Sequence, residues 1–215
     1  MLSNNLFLKL PFACAVNNST EQEYLYSGIE SPFMLKMVLM ILSHVHLRQN
    51  SKNILIELKD FKAKNSLFCK TKHSLSKIAR WLNALRHPFI NKIKSDGETV
   101  DVEFSDVYLK LLKQDKFVNI ELEALMSYKK VSSIKLHIQL KAFQVYRANL
   151  FFLIDFLGVS TKQKRKDQIR SIKAKIRTVK IMQGYRYLYP SKNDIEAKRC
   201  AKSYVFEIKR KLDQA

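Results

Sequence analysis

Residues 162–180 read KQKRKDQIRSIKAKIRTVK and combine dense positive charge with a helical spacing of apolar residues. The stretch holds nine Lys and Arg against one acid, Asp167, so its net charge is nine minus one, +8. Its branched apolar residues recur at intervals of three and four, which predicts an α-helix over about 164–182 with one apolar face. The predicted apolar face consists of Ile169, Ile172, Ile176 and Val179. The predicted opposite face consists of Lys166, Arg170, Lys173, Ala174 and Arg177, which offers cations to a phosphate backbone.

The charge of the whole chain also indicates an anionic partner. The net charge is +20, and it is unevenly shared. Residues 1–130 hold 19 Lys and Arg and 13 Asp and Glu (19 − 13 = +6), whereas residues 131–215 hold 20 and 6 (20 − 6 = +14). Nucleic acid is the expected partner, and an anionic membrane surface is the alternative. No apolar run reaches the roughly 20 residues that a membrane span needs, so no membrane-spanning segment is predicted. With nucleic acid preferred over a membrane surface, we expect no membrane partner.

The amino-acid composition limits the possible fold classes and indicates the cellular compartment. Hydrophobic residues make up 47% of the 215 residues, and only four Gly and four Pro occur, which favours a helical protein with a buried core. The three cysteines, Cys14, Cys69 and Cys200, are far apart and form no CxxC motif. We therefore predict neither a disulfide framework nor a zinc site, no cofactor, and a cytoplasmic location.

The first half of the chain has the element order of a winged helix. Ser31-Pro32 predicts the N-cap and first position of a helix to Leu47, and residues 53–58 alternate like a strand. Two further helices are expected at about 60–68 and 72–86. Residues 89–104, FINKIKSDGETVDVEF, then predict a β-hairpin because Asp-Gly separates two alternating runs. In a winged helix, a helix-turn-helix variant, the third helix enters the major groove.

The same order recurs in the second half. After a connecting segment at about 105–128, helices are expected at about 132–144 and 149–157, followed by the basic helix. Alternating tyrosines at 185–189 and apolar residues at 204–208 predict a second hairpin. The sequence thus predicts an α+β, mostly helical fold with two tandem winged-helix domains. We expect an N-terminal lead-in at 1–30, the first domain with its connecting segment at 31–128, and the second domain at 129–215.

The junction between the halves carries a family resemblance. Residues 104–143, FSDVYLKLLKQDKFVNIELEALMSYKKVSSIKLHIQLKAF, resemble the junction of the winged-helix plasmid replication initiators, which bind repeated origin sites called iterons. Ser132-Ser133 matches the serine-rich helix start of that family, and Lys135-Leu136-His137 stands where an Arg-Leu-Tyr-like triplet is usual. LFFLIDFLGV at 150–159 and IRSIKAKIRTVKIM at 169–182 resemble the second helix and the recognition helix of the family.

The resemblance implies a function and partners. Members bind double-stranded origin repeats as monomers and open an adjacent A+T-rich segment while host replication proteins are loaded. As dimers, many repress their own promoter, so a homodimer in equilibrium with a monomer is implied. The first domain supplies most dimer contacts, and the second supplies most base contacts. A winged-helix transcriptional regulator and an RNA-binding protein are the alternatives.

Thirteen residues are the predicted DNA contacts. Arg170 and Arg177 are expected to reach bases. The second-domain residues expected to hold phosphates or line the same face are Lys162, Lys164, Arg165, Lys166 and Lys173. The first-domain candidates, on the outer side of the third helix and on the wing, are His73, Ser76, Lys77, Arg80, Lys92 and Lys94.

His44-Val45-His46 raises the possibility of catalysis, because His-hydrophobe-His is the metal motif of rolling-circle replication nucleases. The pair lies within a predicted helix, where residues two apart point about 200° away from each other and cannot share a metal. No Gly-rich phosphate loop, catalytic triad or carboxylate pair stands out, so we predict a protein that is not an enzyme. We predict that Tyr185, Tyr187 and Tyr189 pack the wing strand against the core of its own domain. The alternative is a platform on which the bases of single-stranded nucleic acid stack.

Overall fold

The computed structural model describes residues 7–47, 51–64, 66–189 and 200–211, apart from the side chains of residues 46 and 47. The chain divides into two compact units, one up to Tyr128 and one from Lys129 onward. The α-helices are α1 (Thr20–Tyr26), α2 (Pro32–Leu47), α3 (Leu75–Ala84), α4 (Asp106–Leu111), α5 (Leu122–Met126), α6 (Val131–Ala142), α7 (Leu150–Phe156) and α8 (Arg165–Ile176). The strands are β1 (Phe7–Pro11), β2 (Asn53–Glu57), β3 (Ile90–Ser95), β4 (Thr99–Phe104), β5 (Phe117–Glu121), β6 (Val145–Asn149), β7 (Met182–Leu188) and β8 (Val205–Arg210). Short 3-10 helices cover Phe12–Ala15, Leu58–Lys62 and Ala201–Ser203.

The first unit contains a winged helix made of α2, β2, α3 and the β3–β4 hairpin. The predicted start of α2 is confirmed, since the Ser31 hydroxyl accepts a hydrogen bond from the Met34 backbone N–H at 3.1 Å. Between Leu35 and Val45 the helix is buried on nearly all sides, as expected of a central helix. The three strands form an antiparallel sheet in the order β2-β4-β3.

The hairpin forms where the Asp-Gly signal placed it. Asp96 Oδ1 accepts hydrogen bonds from the backbone N–H groups of Glu98 (2.9 Å) and Thr99 (2.7 Å). Gly97 has φ 104°, a conformation that only glycine adopts without strain. The register then pairs Ser95 with Val100.

The predicted helix at about 60–68 is wrong. The described residues there form the 3-10 helix Leu58–Lys62 followed by turns. The Ser66 hydroxyl donates to the Phe61 carbonyl and accepts from the Phe68 N–H, so a local serine turn replaces the helical hydrogen bonds. Lys62 Nζ then donates to the carbonyls of Thr71 and His73, both at 3.1 Å, and holds the chain that leads into α3.

The lead-in and the connecting segment fold together within the first unit. β1 pairs antiparallel with β5, so that Leu8 lies opposite Ile120 and Leu10 opposite Val118. All four side chains are buried. Phe7–Pro11 of the lead-in and Phe117–Glu121 of the connecting segment therefore share one two-stranded sheet.

The second unit has the same element order as the first, with the α-helix α7 in the place of the 3-10 helix Leu58–Lys62. Its elements are a helix (α6), a strand (β6), two helices (α7 and α8) and a hairpin (β7–β8). Its sheet has the order β6-β8-β7, the same topology as the first sheet. The prediction of two tandem winged helices in an α+β fold is therefore confirmed. Gly158 adopts φ 61°, the left-handed conformation common just after a helix, so α7 ends close to the predicted residue 157.

Two boundaries in this unit differ from the predictions. β6 is absent from the prediction, because its five residues lie directly between α6 and α7, where the sequence predicts a link and the start of the next helix. The basic helix is shorter than predicted, ending at Ile176 and not near 182. There the Thr178 hydroxyl donates to the Lys175 carbonyl at 2.6 Å, and the Thr178 and Val179 N–H groups close tight turns to Lys175 and Ile176.

Two buried histidines make the stability of the fold sensitive to acid. In the first unit, His87 Nδ1 accepts from the Phe89 N–H and Nε2 donates to the Leu25 carbonyl, both at 3.2 Å. Burial lowers the pKa of His87 to about 4, although the bond to Leu25 opposes this. In the second unit, burial, with smaller effects of Lys141 and Arg210, lowers the pKa of His137 to about 4.

We expect the free energy of unfolding to fall as the pH drops from 6.5 to 4. Both histidines bind protons more weakly when folded, so the unfolded chain takes up protons first and is favoured in that window. Each histidine should account for about 2 kcal/mol of lost stability at pH 5 relative to pH 7. Urea unfolding at the two pH values measures this loss. His87→Asn keeps an acceptor for the Phe89 N–H, and it should reduce the loss by one histidine's share. An equal loss in this variant and the wild type would contradict the assignment.

Candidate nucleic-acid interface

α8 packs on α6 and α7 with a face that differs slightly from the predicted one. Gln168, Ile172 and Ile176 are buried, as is Val179 beyond the helix, whereas Ile169 is only half-buried. Ile169 is therefore less buried than the predicted apolar face implies. Gln168 takes that place because its amide Nε2 donates to the carbonyls of Ser160 (3.3 Å) and Thr161 (3.4 Å). These bonds attach the loop that carries Lys162 and Lys164 to the helix.

The other side of α8, the loop before it and the residue just after it form what we name the open cationic face. Its cations, all exposed to solvent, are Lys162, Lys164, Lys166, Arg170 and Arg177. Ala174 is exposed among them and presents only a methyl group, so another molecule meets little steric bulk there. Arg170 lies 3.6 Å from the carboxylate of Asp167, with both side chains largely exposed. Such a surface ion pair contributes about 0–1 kcal/mol and leaves the guanidinium available to another partner.

Arg165 and Lys173, which were grouped with these cations, are placed differently. Both are half-buried and lean toward the β7–β8 wing. The Arg165 guanidinium carbon lies 5.1 Å from the ring centroid of Tyr204, and Lys173 Nζ lies 5.0 Å from that of Tyr187. The sequence indicated the cations but not these ring contacts, because the rings come from strands more than ten residues away.

Lys175 is a cation of the basic stretch that does not join the open cationic face. It is half-buried, and burial, with a smaller contribution from Lys130, lowers the pKa of its ammonium. The cost of desolvating this charge makes it a poor candidate for a phosphate contact.

The outer side of α3 is a smaller cationic surface in the first unit. Ser76, Lys77 and Arg80 are exposed on the helix. The hydroxyl of Ser76 lies 3.0 Å from that of Ser74, which caps the helix by accepting from the Lys77 N–H. Lys92 and Lys94 are exposed on β3 of the wing.

His73 departs from the predicted arrangement. The helix starts at Leu75, not near 72, so His73 lies before it. Its ring packs edge-on against Phe33 (5.4 Å between centroids) and Trp81 (4.7 Å). Half-buried among these rings, His73 is a weaker candidate for a DNA contact than its neighbours on α3.

Asn83 also has a role that the sequence did not reveal. The amide of its side chain bonds to the wing. Asn83 Oδ1 accepts from the Ser95 N–H at 2.6 Å, and Nδ2 donates to the Ser95 carbonyl at 3.1 Å. This two-bond link ties α3 to the β3–β4 hairpin, so helix and wing present their cations as one piece.

The tyrosines of the second wing pack mainly on their own unit. Tyr187 lies opposite Phe206 in the β-ladder, and their rings are 4.6 Å apart. Tyr189 is 69% exposed and meets the Tyr187 ring edge-on at 4.5 Å. The predicted wing packing therefore holds for Tyr187, whereas Tyr189 projects into solvent.

The histidine motif lies in a helix, as expected. His44 is buried in α2, and its Nδ1 donates to the Met40 carbonyl at 2.8 Å. The side chain of His46 lies outside the described residues. Within 7–47, 51–64, 66–189 and 200–211, no group of three or more His, Cys, Asp or Glu is arranged to hold a metal ion. In that same part of the chain, no helix combines the length and apolarity needed to cross a bilayer.

Comparison with known proteins finds a similarity of structure. No protein-family model matches the chain, and no curated protein matches its sequence. A solved structure described as "Crystal structure of Pi initiator protein in complex with iteron DNA" matches it with a TM-score of 0.61 and 14% sequence identity. The match covers 99% of this chain and 100% of the other. The chain thus shares the two-domain winged-helix fold of that initiator protein.

Proposed function

We propose that the protein binds double-stranded DNA sequence-specifically and initiates plasmid replication at repeated origin sites. The observation that carries the proposal is the structural match over both domains to an initiator protein in complex with iteron DNA. A match across nearly the whole chain supports a shared use of both winged helices, beyond what a single DNA-binding domain would indicate.

Electrostatics supports the choice of DNA as partner. The open cationic face groups exposed Lys and Arg on a helix that the winged-helix fold places for the major groove. A protein that neutralises phosphates in this way releases counterions, so its affinity falls steeply with salt. In this proposal the second domain makes the main contact with DNA. The first domain makes a weaker supporting contact through Ser76, Lys77, Arg80 and its two wing lysines.

Within the open cationic face we propose a division of labour. Arg170 and Arg177 read bases, while Lys162, Lys164 and Lys166 hold phosphates. Arg165, beside this face, holds a phosphate as well. A guanidinium that pairs bidentately with guanine contributes about 1–3 kcal/mol of discrimination, whereas a lysine on phosphate strengthens all sequences alike.

Single alanine substitutions test this division. Arg170→Ala should lower affinity for the preferred site about tenfold or more while changing affinity for unrelated duplex little. Lys164→Ala should weaken both about equally and reduce the salt slope by about one unit. Fluorescence anisotropy over a salt series measures both quantities. Identical behaviour of the two variants would contradict the division.

The proposed role includes partners. We propose a monomer–homodimer equilibrium in which monomers occupy origin repeats and dimers repress the protein's own promoter, with host replication proteins recruited afterwards. Several copies bound side by side would bend the DNA, and added contacts offset the cost of the deformation. The proposed function includes no reaction catalysed by the protein itself.

Footprinting on the DNA that flanks the gene tests the proposed function. Protected direct repeats spaced near two helical turns are the expected result. A lone palindrome would instead support a winged-helix transcriptional regulator. Stronger binding to RNA in a competition against duplex DNA would overturn the proposal altogether.

A further inference from the structure

Two cations of α8 rest on aromatic rings of the second wing. Arg165 lies over Tyr204 and Lys173 lies over Tyr187, at 5.1 and 5.0 Å from the ring centroids. These distances are within the roughly 6 Å over which a cation is attracted to a ring face.

The two rings are held as one unit. Tyr187 and Tyr204 stack with centroids 6.0 Å apart and planes 17° from parallel. Tyr187 is fixed by the β7–β8 ladder, where it pairs with the fully buried Phe206. Tyr204 immediately precedes β8, and its carbonyl accepts the Leu150 N–H at 2.7 Å. The rings thus have less freedom to move than the long side chains they support.

A cation on a ring face keeps its hydrogen-bond donors. A guanidinium that stacks on an aromatic ring makes the contact through its flat face, so the ring contact itself uses none of the in-plane N–H groups. An ammonium has three donors, and the ring contact leaves those that point away from the ring unused. The attraction at a partly exposed ring is weaker than a charge-assisted bond to phosphate, so the ring orients the cation without sequestering it.

We infer that Tyr187 and Tyr204 are positioning residues of the DNA interface, which hold Lys173 and Arg165 in their binding orientation before DNA arrives. This inference rests on the proposed function. Fixing a long cationic side chain at an interface normally reduces affinity through lost rotamer freedom, and a ring that restricts the side chain beforehand reduces that loss. The rings themselves need not touch the nucleic acid.

Leucine and phenylalanine substitutions distinguish the effect of the aromatic ring from that of an apolar side chain of any kind. Tyr187→Leu and Tyr204→Leu keep an apolar side chain but remove the π face, and each should weaken binding about threefold to tenfold. The matched controls Tyr187→Phe and Tyr204→Phe keep the face and should bind like the wild type. Within the described residues the Tyr187 hydroxyl is buried without a hydrogen-bond partner, so its removal should not lower stability. The probe is a fluorescent mixed-sequence duplex about three helical turns long.

A double-mutant cycle distinguishes positioning from a structural role. In a Lys173→Gln background, Tyr187→Leu should have no further effect on affinity, because the cation it positions is absent. Likewise, Tyr204→Leu should have no effect in an Arg165→Gln background. If either leucine variant loses the same factor with and without its cation, the ring is merely structural and the inference is overturned. Wild-type affinity in both leucine variants would also overturn it. Failure of the wild type to bind any duplex would instead refute the proposed function.

Discussion

The double variant Arg170→Glu with Arg177→Glu is expected to bind its duplex target about 100-fold or more weakly than the wild type. Both arginines are exposed on the open cationic face, and the proposed role of each is to read bases. The substitution removes two base contacts of about 1–3 kcal/mol each and places negative charge against phosphate. Anisotropy titration at fixed moderate salt measures the loss.

The matched control makes the same change in charge outside the proposed interface. Lys110 and Lys113 are exposed in and just after α4, outside the proposed interface. The variant Lys110→Glu with Lys113→Glu alters the net charge by the same four units, so it reports how much of the loss is due to overall charge. We expect a loss well below that of the arginine pair. Equal losses would mean that net charge, and not α8, determines binding.

Phe206→Ala is expected to destabilise the second unit by about 3–5 kcal/mol. Phe206 is fully buried in the central strand of the β6-β8-β7 sheet, where it lies opposite both Ala148 and Tyr187. Its removal leaves a cavity under the wing that a close-packed core cannot refill. Urea unfolding followed by far-UV circular dichroism should show a lower midpoint without a higher slope.

Phe151 provides a control of the same residue type in the same unit. It is 60% exposed on α7, so Phe151→Ala removes an equal number of atoms from a site that buries few of them. Its effect should be about 0.5 kcal/mol or less. A comparable loss in the two variants would show that the sheet does not form the core of this unit.

Local signals in the sequence predicted most of the fold. Ser31-Pro32 and the Asp96-Gly97 turn each act through backbone groups within a few residues, so they can be read without knowing the rest of the structure. Two segments are predicted wrongly because one is very short and the other has a competing local turn. β6 has five residues without flanking turn signals, and the serine turn at Ser66 competes with a helix at similar local preference.

The candidate interface was predictable in charge but not in detail. Nine cations in one stretch indicated an anionic partner, and the helical period placed Arg170 and Arg177 outward. The helical period could not show that Gln168 is more buried than Ile169, since neighbouring residues of a helix are only about 100° apart around its axis. The ring contacts of Arg165 and Lys173 depend on strands brought near by the fold, which no local pattern reports.

Cleavage of DNA from a tethered probe tests the central claim most directly. In a Cys200→Ser background, Ala174→Cys places a single exposed thiol in the middle of the open cationic face, since Cys14 is buried and Cys69 half-buried. An iron chelate attached there generates hydroxyl radicals that cut only nearby sugars. The same chelate on Gln144→Cys, an exposed position in the same unit outside that face, is the control. We predict cuts confined to a few base pairs within the footprint from position 174 and none from position 144. Equal cleavage from both positions, or none from position 174 while the DNA stays bound, would contradict the account.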